Sequence, residues 1–175
     1  SQGFTRGRKR GEFDDSKEAH VNMMDFRFGD TESWFKDAFD LVRRFLREGG
    51  YRLYPSEISL PLEVSKKTTP TIKHCWNNMG WGYCPTNIPQ WNQKYKVAFA
   101  LLDSETNEVR YTFVDTNTDL SKWIKGSPAE YVFEPDMSKV ETGTYVWAVG
   151  LVDRSNKDLI GWTLPPKGIY WIRAG

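Results

Sequence analysis

The chain has 175 residues, 24 basic and 23 acidic side chains, a net charge of +1, 39% hydrophobic and 27% charged residues. That length predicts one domain, or one domain with an appendage, able to bury a core without metals or staples. The composition excludes global disorder, the near-zero charge excludes a broad nucleic-acid surface, and no apolar run approaches the ~20 residues of a membrane span. Aromatics are abundant, with 8 Trp, 8 Tyr and 10 Phe. A core of this size does not need eight indoles, so some are expected at the surface for contact.

The opening SQGFTRGRKR has no apolar stretch behind its basic residues and does not read as a signal peptide. Residues 1–18 mix Arg6, Arg8, Lys9 and Arg10 with Glu12, Asp14, Asp15 and Glu18. They predict a mobile or extended N-terminal arm, with contact to an acidic ligand as the sharper alternative. Residues 19–28 (AHVNMMDFRF) read as extended, and Asp30 and Thr31 offer an N-cap. Phe35, Ala38, Phe39, Val42, Phe45 and Leu46 then recur at three- and four-residue steps. That spacing predicts one amphipathic helix over 31–48 with an apolar stripe, ended by Gly49-Gly50. The segment 19–50 is expected to pack on the domain that follows.

Beyond Gly50 the texture becomes short runs rich in β-branched and aromatic residues, punctuated by Pro, Gly, Asn and Asp. Strands are predicted near 51–59, 69–76, 94–103, 108–114, 129–134, 143–153 and 169–173. Seven short strands at hairpin spacing predict a mostly β fold over 51–175, an antiparallel sandwich of the immunoglobulin or jelly-roll kind. Val97–Leu102 and Tyr145–Val152 are apolar on both faces and should be covered on both.

Cys75 and Cys84 lack the companions of a zinc site. A catalytic thiol is disfavoured too, because adjacent His74 would point to the opposite face of a strand. A disulfide closing the 76–83 loop, hence an oxidising compartment, is the leading expectation. Two free structural thiols are the alternative.

The segment CWNNMGWGYCPTNIPQWNQKY (75–95) is the most informative. Aromatic faces can bury the C–H faces of a sugar ring while amides bond its hydroxyls. The candidate carbohydrate-binding residues are Trp81, Tyr83, Asn87, Gln90, Trp91 and Asn92. The plain alternative is that Trp76 and Tyr83 pack beneath the loop, while for Trp81 and Trp91, flanked by Gly or amides, exposure and burial are equally open. Asp115, Asn117 and Asp119 match the first positions of a calcium loop, but Leu120 and Gly126 stand where its Gly and Glu belong. An Asx-type turn explains them as well; calcium in another geometry is the weaker reading. No catalytic signature stands out, so no catalytic residue, organic cofactor or enzymatic activity is assigned.

Taken together, YRLYPSEISLP (51–61), HCWNNMGWGYCP with YKVAFALLD (74–103), YTFVDTNTDLSKWIKG (111–126) and GTYVWAVGLVD (143–153) resemble the DUF4832 family of bacterial C-terminal domains. Those domains follow (β/α)-barrels of the glycoside hydrolase type. The resemblance implies that HVNMMDF and the 31–48 helix are a last barrel unit. It also implies that Asn78, Gly80, Asp115, Asp119, Trp123 and Gly126 are turn and packing positions. The function expected from residues and resemblance together is a non-catalytic carbohydrate-binding module of a secreted or cell-surface bacterial polysaccharide-degrading enzyme. Its partners would be a polysaccharide or oligosaccharide and the catalytic domain of its parent, with neither nucleic acid nor membrane. Arg6, Arg8, Lys66, Lys67, Lys73 and Lys94 could meet sulfate or uronate groups. The alternative is an accessory domain that braces a barrel and binds nothing.

Overall fold

The computed structural model describes residues 2–26, 31–65, 68–154 and 172–173. They form two compact units. One gathers 1–54, 77–84 and 122–128; the other gathers 55–76, 85–121 and 129–175. The division expected at Gly50/Tyr51 therefore differs from that of the fold, because two later segments fold back with the N-terminal residues.

The N-terminal unit holds three helices, α1 (Gln2–Glu18), α2 (Thr31–Asp37) and α3 (Phe39–Glu48). Helix α1 corrects the expected extended arm. Arg8 is exposed and bonded to Glu12 at 3.3 Å, whereas Lys9 is buried with its Nζ 5.4 Å from the Trp34 ring and Phe13 is fully buried. The extended segment expected at 19–28 has no strand over its described residues, 19–26. The single helix expected over 31–48 is broken at Ala38, whose φ of −141° leaves the helical region. The break re-aims the apolar stripe. Trp34, Ala38, Leu41 and Val42 are buried, whereas Phe35, Phe39 and Leu46 face outward. Gly49-Gly50 ends α3 as expected, Gly50 taking a left-handed φ of 67°. The Arg52 guanidinium donates to the carbonyls of Leu46 (2.8 Å) and Arg47, satisfying groups that a helix end leaves open. The expected cap at Asp30 lies outside the described residues.

The core of this unit is Phe13, Trp34, Ala38, Leu41, Val42 and Trp81, with Phe26 and Phe45 packed against it. The 77–84 segment is stitched in by backbone bonds from Trp81 to Glu48 (2.9 Å) and from Gly82 to Gly50 (2.8 Å). These approaches need glycine, since a methyl on Gly80 would run into the Gly50 carbonyl. Asn78 organises the turn. Its Oδ1 accepts from the amides of Arg52 and Gly80, and its Nδ2 donates to the carbonyls of Gly82 and Trp123.

The fold is mostly β, with two antiparallel sheets. The strands are β1 (Leu53–Ser59), β2 (Ile72–Asn78), β3 (Tyr95–Asp103), β4 (Val109–Asp115), β5 (Ala129–Phe133), β6 (Tyr145–Asp153) and β7 (Ile172–Arg173). One sheet has the order β1-β2-β5 and the other β4-β3-β6-β7. Strand β3 is central. It pairs with β4 (Phe99 opposite Phe113) and with β6 (Phe99 opposite Val149), and residues 96–102 are all buried. That two-sided burial is what its unbroken apolar run predicts. Phe99 stacks on Phe133 of β5 (5.8 Å, 19°) and meets the edge of the His74 ring on β2 (5.1 Å). Among the described residues no helix is long and apolar enough to cross a membrane.

Both cysteines are free thiols, which corrects the expected disulfide. Strand alternation turns Cys75 away from the buried face carrying His74 and Trp76. Cys84 is buried, and that burial pushes its thiol up to about 11, only partly offset by a hydrogen bond with Tyr51. At pH 8 iodoacetamide should therefore alkylate Cys75 first and Cys84 only on unfolding. Intact-mass analysis before alkylation should show both thiols reduced; a mass two hydrogens lighter would restore the disulfide.

Candidate functional site

The six residues expected to bind sugar do not share one environment. Trp81 belongs to the core of the N-terminal unit, which corrects its assignment to an exposed platform. Its ring is 2% exposed, wedged edge-on to Phe13 (5.0 Å) and tilted against Phe45 (5.4 Å). Its indole N–H donates to the Val21 carbonyl, and its own carbonyl accepts from His20 Nδ1. No face is left for a sugar. Tyr83 is half-buried in the same unit, its carbonyl accepting from Asn22.

The other four, Asn87, Gln90, Trp91 and Asn92, lie together on the 85–94 loop that leads into β3. A tight internal network fixes that loop. The amides of Trp91 and Asn92 donate to Ile88 (3.0 and 2.9 Å), that of Gln93 to Thr86 (2.7 Å), and that of Lys94 to Trp91 (2.8 Å). Asn92 and Gln93 take positive φ values of 40° and 55° to close it, a conformation asparagine tolerates better than most residues. Arg154 ties it to the end of β6, through its own amide to the Lys94 carbonyl and its guanidinium to the Asn92 carbonyl. Gln93 Nε2 adds a bond to Asp119.

On this frame the Trp91 ring is half-buried and stands perpendicular to Tyr95, 5.4 Å between centroids. Asn87, Gln90 and Asn92, on the same loop, are exposed. Lys94 Nζ lies 5.9 Å from the Trp91 ring, 5.1 Å from the Tyr95 ring and 3.2 Å from Asp153 Oδ2. The hydrogen bond to Asp153 holds the ammonium above the usual lysine range. Lys96, one alternation further, is buried instead, donating to Thr118 and Gln93, and its burial pulls its pKa down. Tyr95, Asp153 and Arg154 are the members that sequence reasoning missed. Tyr95 is among the aromatics of the 75–95 segment but is not one of the expected binding residues, and the strand pairing that brings Asp153 and Arg154 alongside spans some sixty residues.

Of the basic candidates, Arg8 is engaged with Glu12 and Lys73 is exposed on β2; Lys66 and Lys67 and the side chain of Arg6 lie outside the described residues. The calcium candidates form an Asx turn. Asp115 Oδ1 accepts from the Asn117 amide, and Asp119 Oδ1 from the amide and hydroxyl of Ser121. Among the described residues no three His, Cys, Asp or Glu side chains converge as a metal site.

Asp115 Oδ2 accepts from His74 Nε2 at 3.1 Å, and His74 Nδ1 accepts from the Trp76 indole at 2.9 Å. This fixes a neutral imidazole with its proton on Nε2. A His–Asp pair invites a catalytic reading, but both side chains are sealed, at 0% and 1% exposure, with the ring stacked on Tyr131. A general base must come within hydrogen-bond reach of its substrate. This chain of three side chains is therefore a core network.

No family model, curated protein or solved structure matches the chain. The functional reading therefore rests on its own residues.

Proposed function

We propose that the chain is a non-catalytic carbohydrate-binding module, built as a β-sandwich of immunoglobulin or jelly-roll type, that binds glycan through the 85–95 loop. The contacts of Phe99 with Phe133 and His74 support reading the two sheets as that sandwich. One observation carries the binding reading: a half-buried Trp91 on a hydrogen-bonded loop that also carries the exposed residues Asn87, Gln90 and Asn92. A loop already held in shape loses little freedom on binding, so weak stacking and hydrogen bonds suffice. Lys94 beside the ring adds an anchor for a uronate or sulfate. The reading carries with it a place in a secreted or cell-surface polysaccharide-degrading enzyme of the kind the family resemblance implies.

A second reading is favoured by Phe35, Phe39 and Leu46, which are 48%, 46% and 69% exposed on α2 and α3. Apolar side chains left in water on neighbouring helices suit docking against a further domain, where the module would act as a brace.

Affinity electrophoresis through neutral, uronic and sulfated polysaccharides, at two salt concentrations, separates the two. The binding reading expects retardation by at least one polymer. Trp91→Ala should weaken it by ~10-fold or more, about 1.4 kcal/mol. Salt sensitivity would then separate the Lys94 contribution from stacking. Unchanged mobility on every polymer would leave the docking reading in its place.

A further inference from the structure

The sheet unit contains a groove of about 820 Å³ that is independent of the 85–95 loop. Its volume falls within the range of small-molecule sites, roughly 300–1,000 Å³. Ile58, Leu60, Leu62, Leu101, Val146 and Trp147 contribute to its apolar lining. Leu62 is fully exposed at the mouth. An apolar body would remove this surface from water, the main source of affinity for such a site.

The groove is held in shape by groups that are already paired. The Trp147 indole N–H donates to the Pro61 carbonyl at 3.2 Å and pins the 60–64 segment. The Tyr145 hydroxyl donates to the Glu141 carbonyl at 3.0 Å, and the Glu141 amide donates to the Tyr111 hydroxyl at 3.1 Å. The two tyrosine rings meet edge to face at 5.8 Å. Gly143 closes on the Tyr145 ring, where a methyl would come within 3.1 Å. The Glu141 backbone is thus clamped while its side chain stays exposed. Among the described residues lining the groove, Glu141 is the only one with a charged side chain.

From this geometry we infer that the groove binds an amphiphile, its apolar body between the 58–64 and 137–143 segments and a cationic head against the Glu141 carboxylate. The carboxylate sits beside low-dielectric walls, where its attraction for a cation exceeds that of a fully solvated pair. Polar selection at the rim and apolar burial inside together define the class of ligand.

The test uses three probes with the same nine-carbon chain, the nonylammonium ion, nonanol and nonanoate, below their aggregation limits. Backbone-amide shifts are followed by NMR. Saturable shifts should be confined to 58–64, 101 and 137–147, with nonylammonium binding ~10-fold more tightly than nonanoate. Glu141→Gln removes the charge and keeps both backbone bonds. It should shrink that preference to about threefold or less and leave nonanol binding unchanged. Val140→Trp should weaken all three probes by occupying the groove. The inference is overturned if no probe gives saturable shifts there, or if Glu141→Gln leaves the preference intact. Neither result bears on glycan binding, which is read at 85–95.

Discussion

Replacing His74 with alanine is expected to destabilise the protein by about 4 kcal/mol, one of the two largest effects of a single change here. The imidazole satisfies two buried groups at once, accepting from the Trp76 indole and donating to the Asp115 carboxylate. Its loss leaves both unpaired, each costing ~1–3 kcal/mol, and opens a cavity beside Phe99 and Tyr131. In a chain of this size the melting temperature should fall by roughly 10 °C. Trp76→Phe removes the indole donor and part of the ring but leaves the His74–Asp115 bond, so it should cost less, about 2–3 kcal/mol. Urea denaturation of both variants checks this. A loss below ~1 kcal/mol for His74→Ala would mean that the network contributes little to the fold.

The second large effect separates two tryptophans that look alike in sequence. Trp81→Ala should cost about 3–5 kcal/mol, because the ring fills the space between Phe13 and Phe45 and its N–H pairs with Val21. Trp91→Ala should cost no more than ~1 kcal/mol, since that ring is half-solvated and the loop's backbone bonds do not depend on it. Equilibrium unfolding of the pair decides the matter. A Trp91→Ala variant as unstable as Trp81→Ala would make Trp91 a core residue and remove the proposed platform.

Much of the sheet structure was legible in the chain. The predicted strand at 94–103 is found at Tyr95–Asp103, and that at 129–134 at Ala129–Phe133, because alternation and two-sided apolar runs report local burial directly. The N-terminal unit was read less well. Among the described side chains of α1, Phe13 is the one fully buried apolar group, too sparse to register as a periodic stripe. The break at Ala38 follows from tertiary packing of Trp34 and Leu41 and has no glycine or proline to announce it. Trp81 was misread for a physical reason. Flanking glycines suggest an exposed loop, but here they let the Gly50 carbonyl approach closely and turn the indole inward. The site is split in the same way. Asn87, Gln90, Trp91 and Asn92 are neighbours in sequence and could be named from it. Arg154 and Asp153 reach them only through the pairing of β3 with β6.

The most direct test of glycan binding at the 85–95 loop is an NMR titration with neutral, uronic and sulfated oligosaccharides. Saturable amide shifts at 86–95 and 153–154 with at least one of them are the predicted result. Shifts confined to the outward face of α2 and α3, or none with any oligosaccharide, would contradict it.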